Sequence, residues 1–448
     1  MELYSCLLPS GRIHTKQSTS QEDTKIRMLG NERGKLVVVG GGIIGLSTAY
    51  FAQEKGWDVT LVDRGQPTSD GCSLGNSGMI VPSHFVPLAA PGTMGQAIRW
   101  MKDPESPFSL NPSLSLDMLK WGLRFFLAST KAQVDQAAPL LRDLNLASRE
   151  LYVKWAESGI DSGLVQKGLL MLCNTSHMMQ EEVQLALHAQ KLGVPAEVLN
   201  AEQTAALDPN IDMAIEGAVY YPKDCHLSPD KLLQSLRKKL ELGGCKFLWG
   251  QHATDFVTRG RTIQAVRTSQ GEVTGDKFVV AGGVWSDSLV KAMGLSIPML
   301  AGKGYSLTLP APVQLPAICS ILCEAKVAVT PMGSRLRFGG TMTIGKPDNV
   351  ISPEKLNGIK KSVVSYFPKF SLGDFQGIQP WVGLRPVTPD GLPYIGKSKD
   401  WDNIAIAAGH AMMGLSLGPI TGQLIAQLIS DERTSIPVER LTPDRYAA

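Results

Sequence analysis

The stretch KLVVVGGGIIGLSTAYFAQEKGWDVTLVDRG, Lys35 to Gly65, constrains this chain more than any other. Lys35 to Val39 is a short β-branched run that suits a buried parallel strand. Ile43 to Gln53 continues with Ile43, Leu46 and Tyr50 at helical spacing. Asp58 to Val62 reads as a second strand running into Asp63. Gly40, Gly42 and Gly45 complete GxGxxG at the first strand-to-helix junction. The first glycine permits the tight turn, the second leaves room for a pyrophosphate, and the third lets helix and strand pack closely. The helix N-terminus then faces the phosphates. Asp63 stands 18 residues after Gly45, where an acid binds ribose hydroxyls. FAD and NAD both present an adenosine ribose there, so this unit alone leaves the dinucleotide open.

At 448 residues, 43% of them hydrophobic, the chain can bury more than one core and reads as two to three domains. A net charge of +3 with no basic block gives no reason to expect nucleic acid. Seven scattered cysteines without CxxC read as reduced thiols, Cys319 and Cys323 as a buried structural pair, and no metal is expected. No apolar run reaches bilayer-spanning length. Residues 1–33 are polar with mixed charges and read as a loose extension.

A second GxGxxG in a full βαβ unit is missing, which argues against a separate NAD domain. Gly71 to Gly92 is rich in Gly, Ser and Pro and reads as an extended loop able to line a cofactor. Met94 to Gly193 is mainly helical in pattern, with helices at Leu114 to Leu127 and Pro139 to Glu157; Glu197 to Asp208 adds another. Asp230 to Leu242 is a helix ended by Gly243 and Gly244. Strands follow at Lys246 to Leu248, Thr262 to Thr268 and Lys277 to Val280. Cys319 to Thr343 reads as antiparallel sheet with a hairpin around Pro331 to Ser334. Ile404 to Ala407 is a strand and Pro419 to Ser430 a helix.

Four separated segments together resemble the FAD-dependent D-amino-acid dehydrogenase, glycine oxidase and sarcosine oxidase family, over Lys35 to Ser430. They are GGGIIG with Asp63; CSLGNSGMIVPS with PLAAPG; VVAGGVWSDSL; and WVGLRPVTPDGLPYIG, Trp381 to Gly396, with GHAMMGLSLGPITG, Gly409 to Gly422. The last pair is similar to the dehydrogenase branch. The resemblance implies an α/β protein: a Rossmann-like FAD-binding domain (34–95, 226–300 and 376–448) interleaved with an α+β substrate domain (96–225 and 301–375) holding a mixed, largely antiparallel sheet. It implies FAD contacts at Gly40, Gly42, Ile43, Ile44, Gly45, Asp63 and Arg64. Ser73, Asn76, Gly78 and Met79 would lie beneath the flavin, and Gly282, Gly283 and Trp285 in a turn near it. Gly383, Gly409, Met412, Met413, Gly414, Leu415 and Ser416 complete the set, with Ala253 near the adenine in place of a frequent valine. Backbone N–H groups over Gly409 to Ser416 could face the N1/O2 edge of the reduced ring.

The activity implied is oxidation of an α-amino or α-imino acid, hydride leaving Cα for flavin N5, with an imine as product. Arg385, among apolar and rigid neighbours in Leu384-Arg385-Pro386, offers a bidentate grip on the substrate carboxylate; an ordinary structural ion pair is the other reading. His84 and His410 lie in flavin-contacting motifs, where each serves as proton acceptor, as a ligand for the substrate's polar side group, or as a structural histidine. Tyr305 and Glu324 are further candidates because the family often presents a tyrosine from this sheet to the carboxylate; each reads otherwise as an ordinary sheet residue. Ala325 replaces a tyrosine that usually precedes Lys-Val-Ala. SHFVPLAAPG and EAKVAVTPMG resemble a branch linked to D-proline or D-hydroxyproline. A quinone or other acceptor would take the electrons; oxygen, as in glycine and sarcosine oxidases, is the rival, and a flavin-binding scaffold without turnover is the third reading. Leu114 to Leu127 reads as a core helix of the inserted domain, or else, with Lys120 and Arg124 a turn apart, as a docking helix for a membrane surface. The expected location is cytoplasmic, with peripheral contact at the inner membrane face as the alternative; the oligomeric state is open.

Overall fold

In a computed structural model the described residues are 33–67, 71–100, 103–111, 115–345 and 347–447. The expected extension at 1–33 lies outside them except for Arg33, as does Leu114. The chain builds two large sheets. The first runs in the order 394–397, 404–408, 277–280, 35–39, 58–63, 246–249. All neighbours are parallel except the edge strand Tyr394–Lys397. A three-stranded meander, 253–274, stands beside it.

Parallel strands are covered on both faces. On one face helix Ile43–Glu54 packs against Gly418–Ile429 and Pro229–Leu242. Ile43, Leu46 and Tyr50, the periodic residues of the sequence, are all buried there. The approach of the first two helices is close: a Cβ on Gly422 would stand 2.4 Å from the Ser47 carbonyl carbon.

The second sheet has nine strands in the order 381–387, 300–309, 335–345, 327–332, 319–322, 169–173, 217–221, 197–200, with 108–110 alongside 335–345. It is mixed: 319–322 runs parallel to 169–173 and 108–110 parallel to 335–345, and the remaining pairs are antiparallel. Trp381–Val387, grouped by sequence with the FAD-binding segments, is hydrogen-bonded into this sheet. The expected hairpin forms between Val327–Met332 and Arg335–Gly345. A two-residue ladder, Met79–Ile80 against Cys225–His226, ties the long loop after the second strand to the start of helix 229–242.

Four expectations about secondary structure and packing are corrected. Leu169–Cys173, inside the stretch read as helical, is a fully buried strand at the middle of the nine-stranded sheet; a short apolar run carries no period that separates buried strand from buried helix. Glu197 to Asp208 divides into strand Glu197–Asn200 and helix Ala201–Leu207, because Asn200 and Gln203 form a capping box that starts the helix at 201. Helix Lys131–Glu157 starts at the Thr130 cap and carries Pro139 in its interior.

Helix Leu116–Ala128 is no core helix: it buries only Trp121 and Phe125. Leu116, Leu119, Leu123, Phe126 and Leu127 stand 61–72% exposed. No helix among the described residues is long and apolar enough to cross a membrane. The six described cysteines are free thiols.

Gly422→Ala forces a Cβ into the Ser47 backbone, which cannot rotate away. Overpacking of that kind costs about 1–3 kcal/mol. Chemical denaturation of the variant is expected to show that loss; unchanged stability would mean that the two helices can separate freely.

Candidate active site

A cavity of about 1450 Å³ lies between the carboxyl ends of the parallel strands and one face of the nine-stranded sheet. Ligands of open parallel sheets bind in that position. All of the expected site residues line it except Gly45, Gly78, Gly409 and the further candidate Glu324.

At the dinucleotide end, Gly42 starts helix 43–54 without a side-chain cap of its own, and the Ile43 N–H donates to Ser73 Oγ at 2.9 Å. Gly42 has an ordinary extended backbone (φ −76°), and a Cβ there would meet only Ser73 Oγ at 3.1 Å. The missing side chain thus leaves space in the cavity, not backbone freedom. Gly40 (φ 118°) and Gly45 are glycines for close packing, a Cβ on Gly45 falling 1.8 Å from the Gly40 oxygen. Asp63 closes the turn, its Oδ2 accepting from Gly41 N at 2.5 Å and its Oδ1 from Gly65 N at 2.6 Å. Arg64 stacks on Trp285, 3.4 Å from the ring centroid, beside Gly282 and Gly283 (φ 61°). Ala253, at the start of the meander, lines the same end. Trp249, which the sequence reading missed, covers Gly41; an isolated tryptophan at a strand end carries no local signal.

The loop from Gly71 is fixed by a second missed residue. Arg337 is buried and donates to the carbonyls of Leu74 (2.9 Å) and Asn76 (2.7 Å) and to Thr308 Oγ1 (3.0 Å). Burial pushes its guanidinium down to about 10. Asn76 Oδ1 accepts from Gly78 N, Gly78 (φ 76°) touches the Leu227 carbonyl, and Met79 pairs with His226.

At the far end Arg385 projects from strand 381–387 into the space above Gly304, where a Cβ would meet its Nη1 at 2.1 Å. Its Nη1 donates to the Thr341 carbonyl at 2.7 Å, and it forms no ion pair among the described residues. Burial lowers its pKa from the ordinary value, opposed by Cys72, whose thiol donates to the Leu384 carbonyl. Thr341 is β-branched yet holds φ 63°, and its Oγ1 is buried without a partner among the described residues. Lys326 (φ 51°) and Ala411 (φ 46°) also line the cavity. Three of the four left-handed non-glycine residues described therefore border one site, where stored strain is expected. The indole of Trp381 covers Gly75 and Gly383, a Cβ on either falling 2.0 Å from it.

The two histidines differ. His410 is buried, its Nε2 bonded to Thr421 Oγ1 at 2.9 Å, and burial alone pushes it down to about 3. It serves to join the turn at Gly409 (φ 79°) to helix 418–429. Ser416 Oγ likewise donates to Asn145 and accepts from Val81 N, and the Leu415 carbonyl accepts from Tyr152. The turn of Met412, Met413 and Gly414 borders the cavity between these anchors. His84 instead lines the cavity with Nδ1 bonded to Ser83 Oγ at 2.9 Å, and burial with the Lys326 charge pushes it down to about 4. Tyr305 lies one residue out of step with Gly304 and Ser306. Its ring packs in the core, its hydroxyl meets Val350 O and Ser352 N, and the residue also borders the cavity. Glu324 bonds Asn174, Thr175 and Tyr366, away from the cavity.

The parallel sheet, the glycine turn with Asp63 and the cavity beyond it define a dinucleotide-dependent oxidoreductase. Residues 35–428 match the DAO family model, described as FAD dependent oxidoreductase, and the chain belongs to that family. It is an FAD-dependent enzyme. The start of helix 43–54, the open space at Gly42 and Asp63 fit the cofactor's diphosphate and ribose. The chain is 31% identical over 429 residues to a D-amino acid dehydrogenase of Granulibacter bethesdensis, covering 92% of this chain and 100% of the relative. A D-amino acid dehydrogenase of Helicobacter pylori is 27% identical, over 89% of this chain and 95% of its own. Glycine oxidase from Geobacillus kaustophilus has a similar structure (TM-score 0.74, 24% identity, 93% of this chain and 99% of that one). L-proline dehydrogenase from P. horikoshii follows at 0.72 and 19% identity, over 93% and 98%.

Gly42→Val tests the cofactor fit. The extended backbone tolerates valine, so the variant is expected to fold while purifying without flavin absorbance; a variant that stays yellow at full occupancy would place the diphosphate elsewhere.

Proposed function

We propose that this enzyme oxidises an amino or imino acid of D configuration, with D-proline and cis-4-hydroxy-D-proline as the first substrates to try, and passes the electrons to a quinone or similar acceptor. The observation that carries the reading is Arg385: a guanidinium with no carboxylate partner among the described residues, held over a cavity by the Thr341 carbonyl. A substrate carboxylate supplies the missing partner through two parallel hydrogen bonds. The D-amino acid dehydrogenases matched over nearly the whole chain support the substrate class and the dehydrogenase reading.

Bound FAD supplies the two-electron acceptor for the hydride of Cα. The chain's own residues contribute orientation. Arg385 fixes the carboxylate, Thr341 fixes Arg385, and the packed indole of Trp381 closes the sheet side of the cleft. Such positioning is what a hydride step needs most. His84 stands in the same cavity, neutral at physiological pH. In this reading the division of the chain into a cofactor part and a substrate part follows the two sheets.

We also infer peripheral contact with a membrane surface through helix 116–128. Its exposed apolar residues form a stripe at helical spacing, with Lys120 and Arg124 on the same helix. The chain is expected to sediment with vesicles of phosphatidylcholine and phosphatidylglycerol, less so in high salt, and Phe126→Glu to release it. Failure of the wild-type chain to sediment would remove this contact.

Anaerobic addition of D-proline, cis-4-hydroxy-D-proline and D-alanine is expected to bleach the flavin absorbance with at least one of them. A spectrum that stays oxidised with all of them would contradict the reading, and fast reoxidation in air would make the enzyme an oxidase. Arg385→Ala removes two charge-assisted hydrogen bonds worth about 1.5–3 kcal/mol each, so KM should rise roughly 100-fold or more with FAD still bound. Unchanged kinetics would take Arg385 out of the carboxylate role.

A further inference from the structure

Behind His84 stands a chain of hydrogen bonds that the reaction as described does not use. Asp224 is fully buried and, although 141 residues from Ser83 in sequence, is brought to it by the ladder of Met79–Ile80 on Cys225–His226. Its Oδ1 accepts from Ser83 N at 3.1 Å, and its Oδ2 accepts from Ser83 Oγ at 2.5 Å. Ser83 Oγ also lies 2.9 Å from His84 Nδ1.

A hydroxyl has one proton to give. With that proton committed to the Asp224 carboxylate, Ser83 Oγ meets His84 only as an acceptor. His84 must therefore donate from Nδ1–H. The second ring nitrogen, Nε2, is then unprotonated, and it is the one left for the cavity that His84 lines; no described residue bonds it. A histidine's role is set by the bond its other nitrogen makes.

We propose that Ser83 and Asp224 are positioning residues that lock His84 in the Nδ1–H tautomer, so that Nε2 stands in the substrate cavity as a hydrogen-bond acceptor for an N–H or O–H of the substrate. The amine or imine nitrogen of an amino acid held at Arg385 is such a donor. This occupant rests on the amino-acid reading above; the tautomer does not. A protonated histidine would repel a cationic substrate nitrogen, so the neutral ring enforced by burial and by the neighbouring Lys326 suits the acceptor role.

Asp224 itself must be ionised for this order of donors. Burial pushes its carboxyl up to about 7, while the two Ser83 hydrogen bonds and Arg149 pull it down; Tyr221, Cys225 and Cys319 are its other titratable neighbours. The measurement therefore belongs at pH 8.5 or so, above that value.

The holoenzyme labelled with ¹⁵N in its histidine rings is read by two-bond proton–nitrogen correlation, with His84 assigned by its loss in His84→Gln. Wild type is expected to show the Nδ1–H pattern. Asp224→Asn, which offers an N–H to Ser83 in place of an acceptor, should invert the chain to Nε2–H. Ser83→Ala should release the ring, and raise KM for the best substrate roughly tenfold with kcat changed by less than about threefold. Ser83→Thr, which keeps the hydroxyl, should restore both. A wild-type proton on Nε2, or a tautomer and KM that ignore Ser83→Ala, overturns the proposal. If no amino acid bleaches the flavin, the functional reading and the substrate N–H as occupant fall, and the ring spectrum still decides the tautomer.

Discussion

A half-buried guanidinium without a carboxylate is costly, and the site at Arg385 is built around tolerating one. Gly304 gives it room, since any side chain there would occupy its place. Thr341 gives it an acceptor, but only by taking a left-handed backbone that a β-branched residue rarely adopts. Thr341 lies at the register shift where strand 335–345 pairs with 300–309, between the Gly340 and Thr343 pairings, and the ladder on either side of that bulge holds its backbone in place. The nine-stranded sheet is in this sense the support for one charge.

The second requirement is that cofactor and charge face each other. The parallel sheet delivers the glycine turn and Asp63, the mixed sheet delivers Arg385, and Arg337 fastens the loop of Ser73 and Asn76 from the first onto the second. The helix pair 43–54 and 418–429, in contact through Gly422 and Ser47, links the two ends of the chain behind the turn. Orientation across the cleft is thus fixed by backbone contacts and by the buried Arg337 with its three hydrogen-bond acceptors, which favours a single arrangement.

Much of this was legible in the sequence where the cause is local. The βαβ unit announces itself because turn, strand and acid are neighbours along the chain, and the hairpin at Gly333-Ser334 for the same reason. Arg385 was legible through its motif. Tyr305 borders the cavity and also packs into a core cluster, a double setting that position along one strand does not reveal. The strand Leu169–Cys173 hides in a run without a period. The two readings of helix 116–128, core or surface, could not be separated in the sequence, which shows which residues are apolar but not which are covered. Thr341 and the Asp224–Ser83–His84 chain depend on pairings between distant segments, and nothing in their own neighbourhoods signals them.

The central claim is that the cavity holds a carboxylate at Arg385 beside the flavin. Titration of the oxidised holoenzyme with benzoate, a carboxylate that cannot be oxidised at Cα, tests it through the perturbation of the flavin spectrum. The account predicts saturable perturbation in the wild type, competitive with substrate, and its loss in Arg385→Met with the flavin still bound. Equal affinity in the two proteins would contradict it.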